Sequence, residues 1–254
     1  MISENQIESY NEKGYLVVQN VIPPNKLKEL QDVTDEFVRN SKNIKENDNV
    51  YDLSPAHTFE VPKLRRLKNP HSIHKAYQNI TKDSCILDIV ERIVGKNIRR
   101  DHTKLNFKAA KGGEAIEWHQ DWAFYPHTND DLVTVGIYLD DCFENNGPLK
   151  IIKKSHKKKL YNHHNKENFF VGKINTKNNK IETKNSVSIT GTAGTVVFFH
   201  CRSVHSSGHN LMNSSRPLIL FGYRSCDAWP LINDGNPHPE VNLENYDKNI
   251  IVGN

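Results

Sequence analysis

The sequence predicts a mainly β protein, an antiparallel sandwich or barrel with α-helices packed on its outside. From about residue 97, short runs rich in β-branched and aromatic residues alternate with turn residues, as they do in all-β folds. Before that position, apolar residues recur at helical spacing. The 254 residues contain no internal repeat and no linker rich in Pro, Ser and Gly. We therefore expect one domain over 1–254, with a helical N-terminal part at 1–96 and a β core at about 97–226.

Glycine and proline residues set the boundaries of the N-terminal elements. A polar helical stretch ends at Gly14, and the β-rich run after it is stopped by Pro23 and Pro24. A later amphipathic helix ends at Gly95, a residue type favoured just beyond helix C-termini. The predicted elements are helices at 2–13, 27–40, 71–80 and 84–94, a strand at 15–21 and a loop at 41–49.

The predicted β core is interrupted by two polar segments. A basic run at 153–159 is interpreted as a solvated loop, with contact to an anionic substrate as the alternative. A polar segment at 161–184 contains His163 and His164, which would face opposite ways in a strand and so are not expected to share a metal ion. The predicted strands lie at 98–109, 116–125, 132–139, 149–152, 187–189, 194–199 and 217–224.

Charge and cysteine content limit the classes of partner. The net charge of +4 is mild and spread along the chain, which is unlike the concentrated basic face of a nucleic-acid-binding protein. The four cysteines lack CxxC spacing, as expected for reduced thiols in a cytosol. The N-terminus lacks a signal-peptide pattern, and no apolar run is long enough to span a membrane. We expect a cytoplasmic monomer or homodimer that binds a small molecule, neither nucleic acid nor membrane.

The stretch Trp118-His119-Gln120-Asp121-Trp122 carries the first chemical signal. In a strand, side chains at i and i+2 share one face, so His119 and Asp121 are predicted to lie side by side with Gln120 turned away. An imidazole and a carboxylate in this arrangement bind a divalent metal if one more ligand is supplied. A single HxD is a weak signal by itself.

A second signal follows the apolar run 196–199. His205 and Ser207 repeat the i, i+2 spacing on a predicted strand, and Arg216 begins the next β run, where Pro217 favours an extended backbone. An antiparallel return would bring Arg216 near Ser207. A guanidinium beside a hydroxyl is a good clamp for a carboxylate, because it donates two parallel charge-assisted hydrogen bonds.

Together these signals make a two-histidine, one-carboxylate set with an anion site. His119, Asp121 and His205 would leave three positions open on a metal, as non-haem Fe(II) requires when it binds a chelating cosubstrate and O2. A lone histidine on a strand is more often a hydrogen-bonded structural residue, so the specificity lies in the ordered combination. The alternative from another class is a metal-binding jelly roll without oxygenase activity, such as a cupin-like isomerase or a ligand-binding module.

The chain resembles the phytanoyl-CoA dioxygenase family of Fe(II)- and 2-oxoglutarate-dependent oxygenases, including its ectoine hydroxylase-type members. The likeness covers almost the whole chain, and the stretches that carry it are 10–37, Lys108 to the WHQD sequence ending at Asp121, and 133–149 with its NNGPL turn. Ser155-His156-Lys157 matches a Gly-Ser-His-Lys sequence of the family, but Lys154 stands in the place of that glycine. The resemblance implies a double-stranded β-helix, the jelly-roll or cupin-like fold.

The resemblance also implies residue roles. His119, Asp121 and His205 would ligate Fe(II), and Arg216 with Ser207 would bind the distal carboxylate of 2-oxoglutarate. Asn106 stands where ectoine hydroxylase has an asparagine that holds the cosubstrate. The remaining positions are less specific: Lys108 shares a strand face with Asn106 and could contribute or be an exposed rim lysine, and His102 stands where that enzyme has glutamine.

The implied reaction couples O2 and the decarboxylation of 2-oxoglutarate to hydroxylation of a C–H bond. An intact Asp121 favours hydroxylation over halogenation, because the halogenating members of the superfamily have Gly or Ala there; desaturation and ring formation stay open. A small polar metabolite is the expected substrate. A nucleic-acid demethylase would need a concentrated basic face, and the only basic cluster is 153–159. The side chains considered for substrate contact, each with packing as the alternative, are Trp118, Trp122, Phe124, Tyr125, Arg224 and Trp229.

Overall fold

The computed structural model describes residues 2–113, 115–231 and 250–252. Within them, helices pack against the larger of two antiparallel β-sheets. The helices are α1 (Glu4–Lys13), α2 (Pro24–Asn40), α3 (Pro70–Ile73), α4 (Lys75–Ile80) and α5 (Ser84–Val94). The strands are β1 (Tyr15–Val18), β2 (Tyr51–Leu53), β3 (Leu64–Lys68), β4 (Ile98–Lys108), β5 (Ile116–His119), β6 (Leu132–Tyr138), β7 (Leu149–Ile152), β8 (Ser186–Ile189), β9 (Val196–His200), β10 (His205–Ser207), β11 (Arg216–Ser225) and β12 (Ile250–Val252).

Local sequence explains where the N-terminal helices begin and end. Ser3 caps α1 in a capping box with Gln6, and Gly14 ends the helix at φ +85°, a conformation that costs glycine little. Asp83 caps α5, and Gly95 follows it, as predicted. The helix predicted at 71–80 is instead two short helices, because His74 is extended between them and its ring caps α4.

The two sheets face each other as a jelly roll. The larger sheet has the strand order β1-β9-β6-β11-β4-β3-β2, with β12 also paired to β4, and the smaller has the order β5-β10-β7-β8. The strands β2 and β3 were missed by the sequence interpretation. They are short, and β3 reads Leu-Arg-Arg-Leu-Lys, which lacks the apolar alternation that marks a half-buried strand.

Strand alternation divides the apolar side chains between two cores. On β6, Val133, Val135 and Ile137 point to the helices and join the core that contains most of the buried helical residues. Tyr138 points between the sheets, where it packs with residues of β7 such as Ile151. The face of the larger sheet that carries Tyr138 therefore meets the smaller sheet, and we call it the inner face. Chemistry-bearing residues on the inner face point into the space between the two sheets.

Lys154, which stands in the place of the family's glycine, adopts φ +63°. This left-handed conformation is one that glycine adopts at no steric cost. Lys154 therefore replaces the glycine without changing the backbone conformation that a glycine would have there. The side chain of Lys154 forms an ion pair with Glu12 of α1. The exposed basic run thus fastens the N-terminal helix to the loop after β7.

The described cysteines, Cys85, Cys142, Cys201 and Cys226, are free thiols, in agreement with the sequence expectation. Among the residues with described positions, none of the helices combines the length and the apolar character that crossing a bilayer requires.

Candidate metal and 2-oxoglutarate site

Two histidines face each other across the pairing of β5 and β10. His119 and His205 are register partners, and their ring centroids lie 4.1 Å apart. In each, ring nitrogen Nδ1 lies within hydrogen-bond distance of the carbonyl oxygen two residues earlier, at 2.7 Å to Glu117 and 2.9 Å to Ser203. Donation to these carbonyls fixes the tautomer that leaves both Nε2 atoms as acceptors for a metal.

Asp121 reaches the histidines from outside the strand. The sequence expectation that 116–125 forms one strand is wrong: β5 ends at His119, and residues 121–123 form a turn of 3₁₀-helix. Asp121 Oδ1 nevertheless lies 3.6 Å from Nε2 of His119 and 3.6 Å from Nε2 of His205. The other carboxylate oxygen, Oδ2, accepts a hydrogen bond of 2.8 Å from Thr134 Oγ1.

The electrostatics of this cluster suit a cation. Ligand atoms of His119, Asp121 and His205 all lie within 4.8 Å of one another. The pKa of His205 is lowered to about 4, mainly by burial and to a smaller extent by the neighbouring His119, so the His205 imidazole is neutral at neutral pH. Burial opposes ionisation of Asp121, but the facing His205, the nearby His119 and Lys104 hold its pKa well below the usual range. Two imidazoles and one carboxylate form the donor set of a non-haem Fe(II) site.

Gln120 turns away from the metal ligands, as predicted, and anchors the polar segment at 161–184. Its buried side chain donates to the Arg202 carbonyl at 2.8 Å and accepts from the Tyr161 amide at 2.8 Å. The Gln120 amide donates to Nε2 of His163, whose Nδ1 lies 2.9 Å from the Tyr161 carbonyl. Both nitrogens of His163 are therefore engaged in holding the segment beside β5, which leaves none for a metal.

Arg216, at the start of β11, forms a buried cationic site. The side chain is 3% exposed, and it donates to the carbonyl oxygens of Asn146 at 3.2 Å and Gly147 at 2.7 Å. Its Nη1 is buried without a hydrogen-bond partner in the described residues, and the guanidinium lies over the ring of Tyr138. A buried donor without a partner is costly, so this atom fits an anionic ligand such as a carboxylate.

The expectation that an antiparallel return brings Arg216 next to Ser207 is wrong, although both residues border the space between the sheets. β10 lies in the smaller sheet and β11 in the larger, so the two strands do not pair. Lys108 connects them: it is the register partner of Arg216, and its Nζ donates to Ser207 Oγ at 2.7 Å across the space between the sheets. Lys108 is 9% exposed, which excludes an exposed rim lysine.

Asn106 shares the inner face of β4 with Lys108, as predicted, but its carboxamide oxygen accepts from Arg66 Nε at 3.0 Å. Arg66 lies on β3, one of the strands that the sequence interpretation missed. Lys104 was missed as well, although extending the alternation of Asn106 and Lys108 by two residues would have found it. His102 is next on that face, and its ring lies 4.7 Å from the ring of Tyr125.

The aromatic residues after the metal ligands divide into two groups. Phe124 lies edge-on to His119, with 5.5 Å between ring centroids, and is 44% exposed. Trp122 packs against a small core that includes Leu132 and Cys201, as the packing alternative predicted. At the other end of the sheet, Arg224 is fully buried and donates to the Ala228 carbonyl, which favours packing over substrate contact.

Trp229 lies beside Arg99, whose guanidinium is 5.8 Å from its ring, and it lines a surface cleft of about 410 Å³ at the ends of β4 and β11. None of the residues that line this cleft belongs to the metal cluster or to the Arg216 clamp. Trp229 is therefore placed away from the proposed chemistry.

Comparison with known proteins agrees with this geometry. The family profile described as phytanoyl-CoA dioxygenase (PhyH) matches residues 10–218. A Stutzerimonas stutzeri protein described as a probable alpha-ketoglutarate-dependent hypophosphite dioxygenase is 34% identical over 239 residues, covering 93% of this chain and 83% of the relative. The ectoine dioxygenase of Stutzerimonas stutzeri strain A1501 is 24% identical over 250 residues, covering 89% and 78%. The crystal structure of EctD from S. alaskensis with bound Fe matches with a TM-score of 0.77 at 20% identity, over 94% of this chain and 82% of that one, and shows the shared double-stranded β-helix.

Proposed function

The chain belongs to the phytanoyl-CoA dioxygenase family of Fe(II)- and 2-oxoglutarate-dependent dioxygenases, and from that premise we propose that it hydroxylates an unactivated C–H bond of a small polar metabolite. The observation that carries the proposal is the intact cluster of His119, Asp121 and His205, in which both Nε2 atoms face one carboxylate oxygen. Succinate and CO2 are the products expected from the cosubstrate.

Each protein group has a distinct task in this reaction. Iron and 2-oxoglutarate, when bound, would supply the O2 chemistry and the two electrons that the substrate does not provide. His119, Asp121 and His205 would hold the metal and leave its other positions to ligands. Thr134 fixes the carboxylate of Asp121 by donating to Oδ2, so that Oδ1 stays directed at the metal. An aspartate at this position favours hydroxylation over halogenation.

Arg216, Ser207 and Lys108 would bind the distal carboxylate of 2-oxoglutarate. Ser207 is two residues from the metal ligand His205 on one strand, a separation of roughly 7 Å, which suits the length of a five-carbon dicarboxylate. The unpartnered Nη1 of Arg216 offers a charge-assisted hydrogen bond, and Lys108 adds a second positive charge. Asn106, two residues further along β4, would contribute a hydrogen bond to the same cosubstrate.

Oxidation of hypophosphite to phosphite is a second candidate reaction. It is favoured by the 34% identity, over 93% of this chain, to a relative described as a hypophosphite dioxygenase. One oxygen atom of O2 would enter a P–H bond, and the other would enter succinate as 2-oxoglutarate loses CO2. The conversion is measured by ³¹P NMR, with succinate released in equal amount.

Anaerobic addition of Fe(II) and 2-oxoglutarate tests the shared part of both candidates. Chelation should give a visible metal-to-ligand charge-transfer band, and His119→Ala, Asp121→Ala and His205→Ala should each abolish succinate formation. Folded protein that gives no band would support the alternative of a metal-binding jelly roll without oxygenase activity. A metabolite screen scored by succinate release, with hypophosphite included, separates C–H from P–H oxidation.

A further inference from the structure

The inner face of β4 carries a cation that the tasks above do not use. Lys104 lies two residues from Asn106 on that face, and its ammonium makes no hydrogen bond or ion pair within the described part of the chain. Lys104 pairs with Leu220 of β11, and Leu220 pairs with Gly136 of β6, two residues from the Thr134 that donates to Asp121. This register places Lys104 on the part of the sheet that faces the metal ligands, where Asp121 acts on its charge. Lys104 is partly buried, and burial lowers the pKa of its ammonium.

Two buried hydrogen-bonding atoms lie near the same place without partners. The hydroxyl of Tyr125 lies close to Asp121 and Thr134 but makes no hydrogen bond of good geometry among the described residues. Nε2 of His102 is also buried and without a partner, and its ring contacts that of Tyr125. Buried polar atoms are nearly always satisfied in folded proteins, so neighbouring unsatisfied atoms indicate a ligand.

The charges around this position favour an anion. The nearby carboxylates already have tasks, because Asp121 belongs to the metal cluster and Asp101 contacts Nδ1 of His102. Arg66 adds a second cation. Within the described residues only its Nε donates a hydrogen bond, to Asn106. The carboxylates that act on Lys104 are Asp121 and Asp101, and both are already engaged elsewhere, so the Lys104 ammonium remains able to bind an anion.

This position is separate from the clamp around Arg216. Lys104 is four residues from Lys108 on an extended strand, a distance of roughly 13 Å between their Cα atoms. A carboxylate held by Arg216, Ser207 and Lys108 is therefore too far away to neutralise Lys104. The two cationic positions are therefore separate along β4, one for the cosubstrate and one beside the metal ligands.

We propose that Lys104 and Arg66 bind the anionic group of the substrate, which is therefore a small oxyanion or a metabolite carrying a carboxylate or phosphorus oxyanion. Tyr125 and His102 supply hydrogen bonds to the same group. This inference rests on the proposed function and narrows its substrate class. It selects, among small polar metabolites, those that carry a negative charge close to the bond that is oxidised.

Binding of inert anions, rather than turnover, tests the inference. Anaerobic protein loaded with Fe(II) and saturating 2-oxoglutarate is titrated calorimetrically with inorganic phosphite and, separately, with acetate. At least one should bind saturably, and Lys104→Met and Arg66→Gln should each weaken that binding about ten- to a hundred-fold, as expected for the loss of a charge-assisted hydrogen bond. Lys153→Met, which removes the same charge from an exposed loop position, is the matched control and should bind like the wild type.

The charge-transfer band separates the possible failures. Absence of the band in the wild type would overturn the proposed function, whereas a normal band with neither anion binding would overturn only the substrate inference. Loss of the band in Lys104→Met would show that Lys104 serves 2-oxoglutarate, which also overturns the inference. Circular dichroism checks folding, and Arg66→Gln carries the test if Lys104→Met does not fold.

Discussion

Replacing Thr134 by valine should weaken iron binding without changing a metal ligand. The substitution keeps the side-chain shape and removes the hydroxyl that donates to Asp121 Oδ2 over 2.8 Å. Both residues are buried, at 3% and 5% exposure, so water does not replace the lost donor. A hydrogen bond to a charged acceptor contributes about 1.5–3 kcal/mol, and loss of a partner that orients a metal ligand lowers metal affinity about 10- to 100-fold.

Anaerobic calorimetric titration with Fe(II) measures this effect, and the unfolding midpoint of the metal-free protein reports any general damage. Thr195→Val is the matched control, because Thr195 is also fully buried but its hydroxyl has no hydrogen-bond partner in the described residues. That control should bind iron like the wild type and be equally or more stable. An iron affinity for Thr134→Val within about twofold of wild type would refute the role assigned to this hydrogen bond.

Three further predictions concern the cosubstrate clamp and the fold. Arg216→Ala should raise the KM for 2-oxoglutarate about ten- to a hundred-fold, since the charge-assisted hydrogen bond from Nη1 is lost, while the iron requirement changes only a few-fold. Gly147→Ala should also raise that KM, because Gly147 has φ +76° and a Cβ there would lie 2.8 Å from the Gly208 carbonyl oxygen, displacing a carbonyl that Arg216 uses. The pKa of His71 is lowered to about 4, mainly by burial and to a smaller extent by the charge of Arg100. Between pH about 6.5 and 4, the His71 imidazole binds a proton in the unfolded chain but not in the folded one. The free energy of unfolding should therefore be highest above pH about 6.5 and fall by about 1–2 kcal/mol as the pH drops towards 4.

Each of these has a direct check. Steady-state kinetics with varied 2-oxoglutarate and varied iron separates the two requirements for Arg216→Ala, and equal effects on both would contradict the clamp. Gly95→Ala is the control for Gly147→Ala, since Gly95 also has positive φ but a Cβ there would contact nothing within 4 Å. Urea unfolding at pH 7.5 and pH 5 should show a smaller pH dependence for His71→Gln than for wild type, and an unchanged dependence would remove His71 as its source.

Local patterns were sufficient where the chemistry depends on spacing along the chain. The bounds of α5 and β7 match the predicted 84–94 and 149–152, because capping residues and short apolar runs act over a few residues. The metal ligands were found for a similar reason. His119, Asp121 and His205 stand in an ordered pattern that few other arrangements of one chain would produce, and the cluster forms even though Asp121 lies in a turn and not in a strand.

The sequence by itself thus determined the donor set, the inward face of β4 at Asn106 and Lys108, and the helices that cover the larger sheet. Only the tertiary structure decided that Ser207 and Arg216 lie on opposite sheets with Lys108 between them. Only the structure also placed Arg66 beside Asn106, because a short strand with charged residues such as β3 carries no periodic signal and its pairing is a long-range event. Three distant parts of the chain complete the candidate metal site at the HxD stretch. Thr134 donates to Asp121, His163 accepts from the Gln120 amide, and His205 faces Asp121.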